Sequence, residues 1–434
     1  MLLTDRWFNI PQIALNHSTQ NKLKADLIAK NGSNFIIAAG RRSYKTERFC
    51  KRYAVQQAIE NKDWVIHLGA PTIQQAKTIL WGDVKKLSPS YLVKKTNETD
   101  HSIEYVNGTV LRVIGLKEFK RAQGGLSHLA IITEMQDTEP DVYNETFEPM
   151  LNDTGGIFIG EGRPFGKNHF YDFYLREQNG IKGWKSYHWK SSDILTSEQI
   201  ERAKQNLALK DYEREYDASF ETEFGAPYYA FKAENNRKHI LNTYYPIIVA
   251  CDFNATDKPM SWVIGQRFYD NGKDITCWTK CLSSSFTNTE QQCENFIEYI
   301  ETLFPINTID LIFYGDFAGN QERSNSSFTD WEIIERRIAP RSKSFEKRVK
   351  FCKSIRDSIG ATNAQLCNAL GIRKQFLDFE LCRPLALDYE KSEWAENQRE
   401  LKDKDPLRGH SCRAVDYFND YEHNIKGKPI VKQF

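Results

Sequence analysis

The sequence predicts an α/β protein in two domains, on three observations. Short apolar runs alternate with helical patterns from Asn34 to about Gly225, the order that lays helices over a mainly parallel sheet. The pattern turns irregular and polar over Gly225–Asn242, and a second strand series opens at Pro246. At 434 residues, the chain exceeds what one hydrophobic core ordinarily organises. The expected division is a first domain over 1–225, carrying a small charged helical lid at about 176–225, a linker over 226–244, and a second domain over 245–434.

The first domain's strand candidates are Phe35–Ala39, Trp64–Leu68, Ser102–Tyr105, Val110–Ile114, Leu129–Ile132 and Gly156–Ile159. Ser197 to Phe220 reads as charged and helical, the body of the lid. The second domain offers strands at Pro246–Asp252, Trp262–Tyr269, Ile275–Cys281 and Ile309–Tyr314, with a helix near Thr289–Leu303 and helices dominating from Asp330. Strands first and helices after suit a mixed sheet covered on its faces.

Composition narrows the function classes. The chain is 40% hydrophobic and 27% charged, the profile of a soluble globular protein. No apolar run approaches a membrane span, and the N-terminal stretch lacks the apolar core and small-residue cleavage pattern of a signal peptide. Nine cysteines occur without a CxxC pair, so reduced thiols in a cytoplasm are expected rather than zinc or disulfides. The net charge of +1 hides a basic run from Arg336 to Arg356: Arg336, Arg337, Arg341, Lys343, Lys347, Arg348, Lys350 and Lys353 have only Glu335 and Glu346 as nearby acids. Such a run is either a solvated face or a footprint for phosphate backbones.

Phe35-Ile-Ile-Ala-Ala-Gly-Arg-Arg-Ser-Tyr-Lys-Thr46 has the order strand, turn, helix. In that context backbone N–H groups can curl around phosphate at the positive end of a helix. Gly40, Arg41, Arg42 and Ser43 form the loop, Lys45 reaches the β/γ-phosphates, and the Thr46 hydroxyl ligates Mg²⁺. The match to G-x-x-x-x-G-K-[ST] is imperfect, because Ala39 and Tyr44 stand at the two glycine positions. A tyrosine forced into glycine-only backbone costs roughly 1–3 kcal/mol. Further on, Leu129-Ala-Ile-Ile-Thr-Glu134 is an apolar strand ending on an acid, where a carboxylate can orient the water that attacks a γ-phosphate. Glu134 is the candidate.

Around these lie Leu68-Gly-Ala-Pro-Thr-Ile-Gln-Gln-Ala-Lys77 with Trp81, Asn107-Gly-Thr-Val-Leu-Arg112, Arg121-Ala-Gln-Gly-Gly125, Glu148-Pro-Met-Leu-Asn-Asp-Thr-Gly155 and Gly160-Glu-Gly-Arg-Pro-Phe-Gly-Lys-Asn-His-Phe-Tyr171. In this order the series resembles the ATPase domain of bacteriophage large terminases. The resemblance implies an ASCE-type P-loop ATPase domain, with Gly162 and Pro164 in a segment coupling nucleotide state to DNA movement. It puts Gln20 where the family carries an adenine-reading glutamine. One departure stands out: the family has Asp before the catalytic Glu, and this chain has Thr133. An aspartate there holds water on Mg²⁺ and adds charge; threonine adds none.

In the second half, Ile247-Ile-Val-Ala-Cys-Asp252 and Ile309-Asp-Leu-Ile-Phe-Tyr-Gly-Asp316 each deliver a carboxylate at a strand end. Either alone is ordinary; together they suggest paired carboxylates sharing two divalent metals about 4 Å apart, the arrangement that cleaves phosphodiesters. This resembles the RNase H-like nuclease domain of the same family, continuing through Gly319, Asp330-Trp331, Thr362-Asn-Ala364, Leu381-Cys-Arg-Pro384, Asp388–Trp394, Asp403-Lys404 and His410…Ala414…Tyr417. The family's third acid falls on Arg413. Asp416 is the expected substitute ligand, with Asp420 in reserve.

The resemblance implies a DNA-packaging motor that hydrolyses ATP, translocates double-stranded DNA into a procapsid and cuts concatemers, using Mg²⁺ (or Mn²⁺ in the nuclease). Its implied partners are double-stranded DNA, a portal protein, a small terminase subunit and copies of itself in a ring, in the host cell cytoplasm, with no membrane. Thr133, Tyr44 and Arg413 keep open a DNA- or portal-binding relative with impaired ATPase. A helicase-like ATPase is a third reading.

Overall fold

The computed structural model describes residues 17–119, 125–220, 225–254, 258–320, 328–351, 354–395, 400–402 and 405–423. Arg121 to Gly124, Lys353, Asp403 and Lys404 lie outside the described residues. Two compact units divide the chain at Ile200/Glu201, Tyr212/Glu213 and Thr222/Glu223.

The first unit is built on β1 (Asn34–Ala39), β2 (Val65–Ala70), β3 (Val93–Asn97), β4 (Ser102–Tyr105), β5 (Val110–Gly115), β6 (Leu129–Ile132), β7 (Ile157–Gly162) and β8 (Trp184–Trp189). They form one sheet in the order β3-β4-β5-β2-β6-β7-β1-β8. From β5 to β8 every neighbouring pair is parallel. Phe35 to Ala39 and Leu129 to Ile132 are buried along their whole length. Continuous apolar runs of this kind belong to parallel strands covered on both faces. β3 and β8, absent from the expected strands, are the two edges. Val93-Lys-Lys-Thr-Asn97 is mostly exposed, so its polar sequence carries no core signal.

The second unit holds a six-stranded sheet of β9 (Ile247–Asp252), β10 (Met260–Asp270), β11 (Lys273–Ser284), β12 (Asp310–Asp316), β13 (Ser344–Lys350) and β14 (Gln375–Leu377), ordered β13-β12-β9-β10-β11-β14. β10 and β11 form a hairpin closed by Asn271-Gly272, both with positive φ (48° and 77°), the residue pair that a two-residue hairpin turn favours. The helix Thr289–Leu303 starts at a capping box between Asn288 and Gln291. It and Asp330–Ile338 bury Phe296 and Trp331 against Trp262 and Phe313 on one face. On the other face, helices Ile355–Leu366, Arg383–Lys391 and His410–Glu422 bury Ile359, Leu385 and Phe418 against Trp278 and Tyr314.

Three expectations are corrected here. The stretch 226–244 is no free linker: Tyr228 and Phe231 sit in the second unit's core, and the Asn235 amide donates to the carbonyls of Leu366 and Gln375, both at 2.9 Å. The lid stretch is divided. Glu201–Tyr212 clusters with the second unit, where Gln205 O accepts from the Asn368 amide at 2.9 Å and Leu207 O from Ala369 N at 2.7 Å, while Glu213 onward stays with the first. Helices do dominate after Asp330, yet the middle of the basic run, with Lys347, Arg348 and Lys350, folds as β13. No described helix is long and apolar enough to cross a membrane.

Candidate active sites

β1 delivers Gly40 into a tight turn against β8. A Cβ on Gly40 would collide with Ser191 Oγ and the Tyr216 carbonyl, so only glycine fits. The Ser43 hydroxyl donates back to Gly40 O at 2.6 Å, and Ser191 Oγ donates to Arg41 O at 2.7 Å. Arg42 and Tyr44 both take left-handed backbone, φ 59° and 58°, a conformation that costs an L-residue roughly 1–2 kcal/mol. Tyr44 thus sits in the geometry a glycine would occupy, its ring packed against the core. Tyr44→Val, β-branched in that region, is expected to lower Tm by a few degrees more than Tyr44→Gly; equal melting would mean that the position carries no such strain.

Gln20 is fully buried and braces the loop: its Nε2 donates to Ser43 O at 2.8 Å, and its Oε1 accepts from Arg48 at 3.1 Å. Both ends of the amide are spent on protein, so reading a base would require exchanging these partners. Lys45 and Thr46 meet a residue that sequence reasoning did not single out. Thr46 Oγ1 donates to Glu161 Oε1 at 2.8 Å, and Lys45 Nζ lies 3.9 Å from Glu161 Oε2. Glu161 is completely buried, and burial, against the pull of Lys45, pushes its carboxyl up to about 7.

Glu134 follows β6 in left-handed backbone (φ 52°), the kind of strain that functional positions retain. Its Oε2 accepts from Gln136 Nε2 at 2.7 Å and from Arg163 at 3.4 Å. Burial opposes its charge, but the Arg163 guanidinium and then Lys45 outweigh it and hold the pKa below the ordinary value. Glu134 is therefore ionised at neutral pH, as a base must be. Arg163 also pairs with Glu215, whose carboxyl falls to about 2 under Arg163, Arg214 and Arg41 despite burial. Gln136 ties this turn to the next segment. Its Oε1 accepts from Arg163 N at 3.1 Å, its carbonyl accepts from Asn168 Nδ2 at 3.1 Å, and a Cβ on Gly162 would collide with that Oε1. The segment from Gly162 through buried Pro164 to Asn168 thus touches the turn that carries Glu134.

In the second unit β9 and β12 are parallel neighbours with Cys251 opposite Gly315, so Asp252 and Asp316 leave adjacent strands at the same end. Asp252 Oδ2 accepts from Asn254 Nδ2 at 2.8 Å and contacts His410 Nδ1 at 2.9 Å. His410 Nε2 faces Pro406 O at 3.1 Å. With an acceptor at each nitrogen, the imidazolium is favoured: burial works against it, but Asp252 lifts the pKa above the usual value. Asp316 Oδ1 accepts from Phe317 N at 2.7 Å. Tyr417 feels both acids: burial, then the charge on Asp252, push its phenol up.

Asp416 is not brought to this pair. It is fully buried, with its oxygens filled by Thr362 (2.6 Å), Tyr228 (2.8 Å) and Arg413 (3.1 Å). A residue three places after Arg413 is turned about 60° round the helix, here toward Ile355–Leu366. Asp420, about two full turns after Arg413, keeps to its face and pairs at 2.9 Å with Lys350, the register partner of Asp316. Among the described residues no group of three His, Cys, Asp or Glu could hold a metal ion. Asp416→Asn is therefore expected to shift Tm and to leave any divalent-cation affinity of the Asp252–Asp316 pair unchanged; a folded variant that lost such affinity would restore Asp416 as a ligand.

No family model matches the chain, and no curated protein does. Solved structures do. The large terminase of a thermophilic bacteriophage superposes with TM-score 0.64 over 93% of this chain and 98% of that one, at 15% identity. The same protein in complex with ATP-γ-S gives 0.61 over 94% and 99%, at 16% identity. This chain has the fold of a phage large terminase. Within that fold the β8-β1-β7-β6-β2 stretch sets the Gly40–Thr46 turn after β1 and Glu134 after β6, and the second sheet sets Asp252 beside Asp316.

The large-terminase fold also accounts for the basic run. β13 is an edge strand, and alternating charges guard an edge against pairing with another chain. Its cations and those beside it have acidic partners: Arg337 with Glu294, Arg341 with Glu301, Lys343 with Asp310, Lys347 with Glu335, Arg348 with Glu346 and Glu422, and Lys350 with Asp420. Arg336 stacks 3.6 Å over the Phe328 ring. The run is largely neutralised where it stands.

Proposed function

We propose that the chain is a DNA-packaging motor subunit that hydrolyses ATP to drive double-stranded DNA into a procapsid and cuts concatemers with its second domain. The observation that carries this is the presence, in one terminase-like chain, of a phosphate loop facing Glu134 and a strand-end carboxylate pair. ATP would lie on Gly40 to Thr46, with Lys45 on the β/γ-phosphates and Glu134 drawing a proton from the attacking water. Gln136 relays a shift of Glu134 to Gly162, Pro164 and Asn168.

The oxygen donors suit a hard divalent cation: the Thr46 hydroxyl stands beside Glu161, whose buried Oε2 receives no hydrogen bond. Asp252 and Asp316 offer a second pair of such donors; Asp420, rather than Asp416, would join them only by leaving Lys350. Bound Mg²⁺ or Mn²⁺ would neutralise phosphate charge and lower the pKa of water. In this reading the partners are a portal protein, a small terminase subunit and further copies of the chain in a ring, in the host cytoplasm.

The deciding experiment measures DNA-stimulated ATP turnover and plasmid cleavage with one purified preparation. Both activities, each needing a divalent metal, are expected. Nucleotide binding without turnover would leave a DNA- or portal-binding relative. Turnover without cleavage in any metal would remove the nuclease.

A further inference from the structure

We propose that Glu161 is the carboxylate serving the metal side of the nucleotide site, in place of the acid that Thr133 does not supply. The inference rests on the nucleotide-site reading above. β7 lies between β6 and β1, with Ile132 opposite Gly160 and Ile37 opposite Glu161. Glu161 therefore stands level with Thr133 but one strand, ~4.8 Å, nearer the strand that feeds the phosphate loop. Thr133 is turned away: its hydroxyl donates to Gly69 O on β2 at 3.3 Å, on the side of β6 opposite β7. Glu161 instead accepts from Thr46 Oγ1 at 2.8 Å, the hydroxyl placed to ligate the cation.

The carboxylate is completely buried; the Cys50 thiol, a weak donor, lies beside it, and its Oε2 receives no hydrogen bond. A buried acceptor without a donor is costly and calls for a ligand. Lys45, 3.9 Å from that oxygen, is the cation a nucleotide would draw toward its phosphates. Its departure would leave the buried carboxylate without a counter-charge, which favours either a proton or a second cation on the phosphate side. A water on the metal is the donor that would then fill Oε2, as it fills the aspartate ordinarily found after β6.

ADP titrations of the full chain, with and without Mg²⁺, test this. The unmodified protein is expected to gain affinity from Mg²⁺. Glu161→Gln, nearly isosteric, is expected to keep or improve metal-free ADP affinity and lose most of the Mg²⁺ gain, on the order of tenfold or about 1.4 kcal/mol. Adding Thr133→Asp to Glu161→Gln is expected to restore the gain, which a merely structural glutamate would not permit. An unchanged Mg²⁺ gain in Glu161→Gln overturns the proposal, as does a double variant that binds ADP but recovers nothing. If the unmodified chain binds no ADP at all, the nucleotide site itself is wrong, a different failure.

Discussion

Glu134→Gln is expected to slow ATP turnover by roughly 10²–10⁴-fold, the usual worth of a positioned general base, while ADP affinity and Tm stay close to those of the unmodified chain. The amide keeps the shape and can still contact Arg163 through its oxygen, but it cannot take a proton. Arg163 retains Glu215, so no buried cation is left unpaired. Lys45→Ala should act differently. It removes the cation beside Glu161 and with it both phosphate binding and turnover. Wild-type turnover in Glu134→Gln would reject the base. Wild-type ADP affinity in Lys45→Ala would reject the loop.

What the sequence made legible was local. β1, the loop and Lys45-Thr46 are contiguous, and Asp252 and Asp316 each end an apolar run, so a strand-end rule finds them. Tyr44 stands at a glycine position of the motif, which raises the question of its backbone; only the structure gives the positive φ of 58°. Glu161 carries no such local signal, although it lies in the segment that resembles the coupling motif. Only the sheet order, β7 between β6 and β1, brings it to Thr46 from 115 positions away. Arg163 with Glu215 is hidden for the same reason, since the partners stand 52 residues apart. Asp416 shows the limit of helical period. Spacing from Arg413 allowed both Asp416 and Asp420, and only packing against Thr362 and Tyr228 decides that Asp416 faces the interior. β13 was missed because Ser-Phe-Glu-Lys-Arg-Val-Lys is the charged sequence of an edge, which binary patterning reads as surface.

Asp252→Asn is expected to remove metal-dependent nicking, by more than the roughly 10–100-fold typical when only a ligand's hydrogen-bond partner is lost. ATP turnover should stay largely intact, because the phosphate loop belongs to the other unit. The physical ground is repulsion. Asp252 and Asp316 leave neighbouring parallel strands at the same end, and carboxylates brought together disfavour each other's charge. A divalent cation makes such a pair tolerable, so Asp316→Asn should lose as much. His410→Ala separates this from a structural role for the acids. His410 orients Asp252 through Nδ1 at 2.9 Å and is anchored at Pro406 O, so its loss should weaken Mn²⁺ binding and nicking together by roughly 10–100-fold without abolishing either. Full nicking in Asp252→Asn would reject the nuclease. Loss in Asp252→Asn accompanied by a collapse of Tm would show instead that the pair holds the sheet end together, and a folded Asp252→Asn that still binds Mn²⁺ as tightly as before would move the metal elsewhere.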